Sequence, residues 1–308
     1  MNFLDKLLQA ARTNKSLLCI GLDPDPELMP MADVFLFNKA IVDATSDLVC
    51  AYKPNLAFYE ALGIEGIEAL QRTVAYIPKS IPVIGDAKRG DIGNTARAYA
   101  RALFEVFGFD AATVNPYLGR DSLEPFIQYR EKGVFILCRT SNPGSSHFQG
   151  LPLLQTSRPL FESVAERAKE WNLYGNVGLV VGATYPEELR RVRQICPEMP
   201  LLIPGIGAQG GDLASAVRYG VDARGGKAII SSSRQILYAE KLYGSKRKGQ
   251  LFVDGVQQAE SGYLPTAHVP AGDLNATLLL FAEAARRAAQ ELRNQINSYL
   301  ASLPRQNP

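Results

Sequence analysis

The stretch PVIGDAKRGDIGNTARAYARALFEVF, residues 82–107, contains one complete strand-and-helix unit and sets the reading of the fold. Its opening run, PVIGD at Pro82–Asp86, is one strand long and does not alternate with polar residues. That pattern suits a parallel strand covered on both faces. A polar turn leads into Asn94–Phe107, where Ala98, Ala102, Leu103 and Val106 recur at helical spacing and are expected on one face. Runs like the first recur on both sides of it: LLCIGL (Leu17–Leu22), LVCAYK (Leu48–Lys53), AATVN (Ala111–Asn115), VFILCR (Val134–Arg139), VGLVVG (Val177–Gly182), LLIPG (Leu201–Gly205) and KAIIS (Lys227–Ser231). Helical patterns separate them, among them Pro186–Ile195, with Pro at a helix start, and Asp212–Tyr219. Eight strands alternating with helices match the α/β class in its (β/α)8 TIM-barrel form, which needs ~250 residues. A doubly wound open sheet shares the alternation and is the alternative architecture. No linker divides residues 1–308, so a single domain is expected. It carries a polar insertion near 244–273 and a C-terminal helix near 275–302, with Leu278, Phe281, Ala285, Ala288, Leu292, Ile296 and Leu300 as its apolar stripe.

Composition narrows the function. Of the 308 residues, 46% are hydrophobic and 21% charged, the balance of a globular chain able to bury a large core. Lys and Arg number 33 against 31 Asp and Glu, which leaves no basic face for a nucleic acid backbone. Cys19, Cys50, Cys138 and Cys196 are widely spaced and form no C-x-x-C pair, so they read as small buried hydrophobes rather than as disulfides or zinc ligands. The first twenty residues are amphipathic and lack the apolar core of a signal peptide. No run reaches the ~18 apolar residues of a membrane span. A cytoplasmic protein without membrane or nucleic acid partners is expected. His147 and His268, the only histidines, lie in polar segments and read as solvated, as does Lys246-Arg247-Lys248.

In such barrels the carboxyl ends of the strands carry the chemistry. The first strand ends in Asp23, the second in Lys53-Pro54-Asn55, and the third runs into Asp86-Ala87-Lys88-Arg89-Gly90-Asp91. Charges of both signs converging on one barrel mouth cost several kcal/mol each in lost hydration unless paired, in the range of ~3–5 for a broken pair. Asp86 and Lys88 are two apart and leave the same side of an extended strand, with Lys53 beside them on the neighbouring strand. Asp91 lies past Gly90, off that strand face, and comes from a loop that either folds back or reaches a second subunit. A Lys–Asp–Lys–Asp alternation keeps both lysines protonated and both aspartates ionised. Protonated Lys88 is a poor Schiff-base nucleophile and a ready proton donor. An ionised Asp86 repels a substrate anion until that anion departs as a neutral molecule. Loss of carbon dioxide, with Lys88 protonating the carbon left behind, uses every member of the array. Further along, Pro204-Gly205-Ile206-Gly207-Ala208-Gln209-Gly210-Gly211-Asp212 and Ser231-Ser232-Ser233-Arg234 follow the seventh and eighth strands, the usual phosphate cradle of this barrel.

These segments closely resemble the orotidine 5′-phosphate decarboxylase family. Residues 83–95, VIGDAKRGDIGNT, are similar to its D-x-K-x-x-D-I-x-x-T signature. CIGLDPD, YKPN, RTSNPGS, PGIGAQGGD and SSR follow in the family's order over about residues 15–240, in the manner of its longer bacterial branch. The resemblance implies that Lys88 protonates C6 of the pyrimidine and Asp86 lies against the departing carboxylate, while Lys53 bonds Asp86 and the ribose. Asp23 would hold a ribose hydroxyl and Ser141 the pyrimidine ring. Gln209 and Arg234 would hold the phosphate, with Pro204 and Ser233 as further substrate-binding positions. Asp91, Ile92 and Thr95 would complete the site of the other subunit in a homodimer. The implied reaction takes orotidine 5′-phosphate to UMP and carbon dioxide without metal or organic cofactor. Many members have Gly before the phosphate Arg, whereas this chain has Ser233. Two rival readings remain: a magnesium-dependent sugar-phosphate decarboxylase or lyase of the same superfamily, and an inactive phosphate-binding barrel. The first needs a carboxylate on the second strand, where Lys53 stands.

Overall fold

The computed structural model describes residues 1–207, 210–244 and 274–303. Residues 245–273, which include Lys246-Arg247-Lys248, His268 and most of the expected insertion, lie outside the described residues, as does Gln209.

Among the described residues eight strands form one parallel sheet: β1 (Leu18–Leu22), β2 (Ala51–Pro54), β3 (Ile84–Arg89), β4 (Ala111–Val114), β5 (Gly133–Arg139), β6 (Val177–Val181), β7 (Leu201–Ile203) and β8 (Ala228–Ser232). Their order, β2-β1-β8-β7-β6-β5-β4-β3, brings the first and last strands together. Bridges Tyr52–Val83 and Asn55–Asp86 join the two ends of that order, β2 and β3, and make a nearly closed barrel. This is the (β/α)8 architecture expected from the sequence, and the open-sheet alternative is set aside. The strands do not alternate because both faces are buried. Inward side chains, among them Ala51, Ile84, Phe135, Leu202 and Ile229, fill the barrel interior. The helix Phe3–Asn14 closes its amino-terminal end, with Phe3 edge-on to Phe135 at 5.6 Å and Lys6 paired to Asp110 at 2.8 Å. Among the described residues the carboxyl end of the barrel is left open as a cavity.

One helix departs from the expected face. After β3 the chain runs as an α-helix over Gly93–Arg101 and then as a π-helical turn over Ala102–Val106. Ala96, Ala100, Leu103 and Phe104 are buried, whereas Ala98 and Val106 are exposed. The π turn holds an extra residue and shifts everything after Arg101 around the axis, and an alanine-rich first half gives little apolar contrast to set the phase. The long helix Leu274–Ser302 packs on the helix Val34–Thr45 through Phe281 against Phe37. There Arg286 makes a bidentate pair with Asp47 at 2.7 and 2.8 Å. All four cysteines are free and buried, and His147 is exposed. No helix among the described residues is long and apolar enough to cross a membrane.

Candidate active site

The third strand reaches the barrel mouth through a bulge. β3 pairs with β4 at Ile84–Ala111 and Gly85–Ala112, then not again until Arg89–Val114. Asp86, Ala87 and Lys88 therefore face Thr113 alone, and Lys88 sits at φ 49°, in the left-handed region. For a residue with a side chain that backbone costs ~1–2 kcal/mol and persists only where the surroundings enforce it. The simple alternation expected of an extended strand does not hold here. Asp86 and Lys88 nevertheless meet, because the bulge turns Lys88 back toward its neighbour.

Their contacts form a clamp around one carboxylate. Lys53 Nζ donates to Asp86 Oδ2 at 2.9 Å, and Lys88 Nζ donates to Oδ1 at 2.6 Å. The Thr113 hydroxyl donates to Oδ1 at 3.0 Å. Lys53 is 5% exposed, so its charge depends on this pair. Burial alone would raise the Asp86 pKa, but Lys53 and Lys88 together outweigh it and hold the carboxyl well below the usual range. Burial likewise opposes the charge on Lys53, and the carboxylates of Asp86 and Asp23 override it and raise its pKa. The pair is ionised across the physiological range.

Around the clamp lies a cavity of about 390 Å³ at the carboxyl end of the barrel. Of the residues expected from the sequence, Asp23, Lys53, Asp86, Lys88, Ser141, Pro204, Ser233 and Arg234 line it. Asp23 is held through its backbone. Tyr59 donates its hydroxyl to Leu22 O at 2.8 Å, and Tyr238 donates to Asp23 O at 3.0 Å while accepting from Asp25 N–H at 2.7 Å. The Asp23 Oδ1 atom is buried with no hydrogen-bond partner among the described residues, which leaves an acceptor at the cavity wall. Ser233 takes φ −122°, outside the left-handed region that favours glycine. Its hydroxyl instead occupies space that glycine supplies opposite: a Cβ on Gly21 would lie 1.9 Å from Ser233 Oγ. At the other loop Gly207 combines φ 89° with a close approach, since a Cβ there would meet Gln235 Oε1 at 2.3 Å.

Asp91, Ile92 and Thr95 do not line this cavity. Asp91 Oδ1 accepts the Ile92 N–H at 2.8 Å, and Ile92 is 57% exposed at the start of the helix that follows. The loop does not fold back into its own barrel. Sequence reasoning placed Asn55 and Thr140 at their strand ends without a role and missed Thr113, Gln235 and the apolar floor of Leu137, Val180 and Leu202, all of which border the cavity. The signal for Thr113 was its hydroxyl inside the otherwise apolar run AATV; Gln235 carried none, because its place depends on how the two glycine-bearing loops pack.

A family model described as "Orotidine 5'-phosphate decarboxylase / HUMPS family" matches residues 16–244, which include every strand and the whole cavity. The chain belongs to that family. Similar proteins agree with the assignment. An orotidine 5′-phosphate decarboxylase of Dehalococcoides mccartyi is 55% identical over 262 residues, covering 84% of this chain and 94% of the relative. One of Ralstonia nicotianae is 46% identical over 310 residues and covers 97% of this chain and 99% of its own length, so the C-terminal part has a counterpart there. Among solved structures, the orotidine monophosphate decarboxylase of Leishmania donovani superposes with a TM-score of 0.77 at 37% identity, covering 98% of this chain and all of that one. In the decarboxylase family's terms, the cavity at the strand ends is the candidate active site.

Proposed function

We propose that this protein converts orotidine 5′-phosphate to UMP and carbon dioxide, the last step of de novo UMP biosynthesis, with Lys88 as the proton donor. The observation that carries the reading is the Asp86 carboxylate clamped between Lys53 at 2.9 Å and Lys88 at 2.6 Å on the cavity wall. With the substrate carboxylate beside Asp86, the bond from ring C6 to that carboxylate breaks. Its electron pair stays on C6, carbon dioxide leaves neutral, and a proton passes from Lys88 Nζ to C6. Attraction between the Lys88 ammonium and the negative charge on C6 grows only as the bond breaks, so it lowers the barrier directly. Repulsion between Asp86 and the bound carboxylate adds to it and ends when the gas departs.

The rest of the cavity suits the remainder of the nucleotide. The free Asp23 Oδ1 acceptor matches a ribose hydroxyl, with Lys53 beside it. Ser141 is offered to the pyrimidine, and Arg234, with Gln209, to the phosphate, with Pro204 and Ser233 alongside. Asp91, Ile92 and Thr95 are assigned to the site of a second copy in a homodimer, which accounts for an isoleucine exposed beside a loop aspartate. No divalent cation is assigned, because one at the clamp would meet the ammonium of Lys53.

The test is ultraviolet-monitored turnover of orotidine 5′-phosphate by the purified protein, with and without EDTA. Expected is turnover that EDTA leaves unchanged and that Lys88→Ala lowers by at least the ~10²–10⁴-fold typical of a lost proton donor. Absence of turnover overturns the reading, and turnover that requires magnesium transfers it to the sugar-phosphate lyase alternative.

A further inference from the structure

We infer that Thr113 is the positioning residue of this site: its hydroxyl holds the bulged strand that carries Asp86 and Lys88 in the geometry the reaction uses. The inference rests on the decarboxylase reading for its kinetic consequence and on the hydrogen bonds of Thr113 alone for its structural one.

Three residues of β3 oppose one residue of β4, so the N–H groups inside the bulge lose their regular carbonyl partners. The Lys88 N–H is redirected to the Thr113 hydroxyl oxygen at 2.9 Å. That hydroxyl passes its own hydrogen to Asp86 Oδ1 at 3.0 Å, the same oxygen that accepts from Lys88 Nζ at 2.6 Å. One oxygen atom thus fixes the backbone of Lys88 and the rotamer of Asp86 together. Thr113 borders the cavity yet is 1% exposed, so both bonds are largely shielded from bulk water. Lys88 needs this restraint, since its backbone at φ 49° is unfavourable for any residue with a Cβ. A side chain that only filled space would have no reason to carry a hydroxyl here. Valine has nearly the same shape and would sit in the strand at least as well.

Thr113→Val and Thr113→Ser separate the hydroxyl from the shape, with Thr113→Ala as the second variant should valine fail to fold. For Thr113→Val, kcat with orotidine 5′-phosphate is expected to fall ten- to hundredfold, the size of one lost hydrogen bond to a charged group. Its KM and its affinity for UMP should stay within about threefold. Thr113→Ser, which keeps the hydroxyl, should retain kcat within about threefold of the parent. A crystal structure of Thr113→Val should show Lys88 leaving the left-handed region or its ammonium leaving Asp86. The inference is overturned if Thr113→Val keeps its kcat, if serine fails to restore it, or if the crystal shows Lys88 and Asp86 undisturbed. Should the parent protein itself be inert toward orotidine 5′-phosphate, the proposed function falls, and the crystal comparison still decides the hold of Thr113 on the bulge.

Discussion

Replacing Asp86 by asparagine keeps the shape of the clamp and removes its charge, and the energetic result follows from where the two lysines sit. Lys53 and Asp86 are 2.9 Å apart, with side chains 6% and 12% exposed. At an effective dielectric near 20 their attraction is about 6 kcal/mol, most of it offset by the hydration both groups gave up on burial. The net worth of the pair is therefore small. Breaking it is another matter, because asparagine leaves the buried Lys53 ammonium without its counter-ion, at a cost of about 3–5 kcal/mol. Lys88, 48% exposed, is solvated without Asp86, and its share is below about 1 kcal/mol. With an unfolding entropy near 2.1 cal/mol/K per residue over 308 residues, Asp86→Asn should lower the thermal midpoint by about 5–8 °C at pH 7. Adding Lys53→Met, a chain of similar length without the charge, should recover at least about 2 kcal/mol of that loss although it is a second core substitution. Differential scanning calorimetry of the parent, the two single variants and the double variant reads all four corners of the cycle. An Asp86→Asn protein within about 1 kcal/mol of the parent, or a double variant whose losses simply add, would refute the dependence of Lys53 on Asp86.

Further consequences are as direct. Asp86 has a depressed pKa, so its stabilisation is complete above the unfolded carboxyl value near 3.9 and fades as pH falls through the lower folded value. Lys53 has a raised one, so its share persists up to the unfolded value near 10.4 and fades as pH climbs through the higher folded value. The gap in denaturation free energy between parent and Asp86→Asn should hold steady between about pH 5 and 9 and narrow in acid; a gap that widens in acid contradicts the assignment. Gly21→Ala puts a Cβ 1.9 Å from Ser233 Oγ, and overpacking of this kind costs about 1–3 kcal/mol. Adding Ser233→Gly should restore the melting temperature, and a Gly21→Ala protein that melts like the parent removes the basis for that pairing. Lys88→Ala and Asp91→Ala, each nearly inactive alone, should regain activity when mixed and allowed to exchange subunits, since a hybrid dimer rebuilds one site with all its groups. No gain after confirmed exchange would place Asp91 outside the shared site.

Much of this molecule is legible in its sequence. Buried parallel strands need apolar residues on both faces, so the eight runs stood out by their lack of alternation, and β4, β6 and β8 begin or end within a residue of the runs that announced them. Charged residues at the ends of such runs are costly unless used, which marked Asp23, Lys53, Asp86 and Lys88, and the cavity gathers all four. The phase of the helix after β3 was read less well, because the π turn at Ala102–Val106 is not encoded in a constant 3.6-residue period.

What the chain order could determine, then, was which residues reach the open end of the barrel, because that depends only on strand period and burial. How they meet there was decided by tertiary structure. The bulge that puts three residues of β3 against Thr113, the left-handed turn of Lys88 and the fit of Ser233 over Gly21 all arise between strands distant in sequence. Register is a property of a pair of strands, and no single segment carries it. Asp91 and Ile92 extend the same point: close to the clamp in sequence, they do not line the cavity of their own barrel.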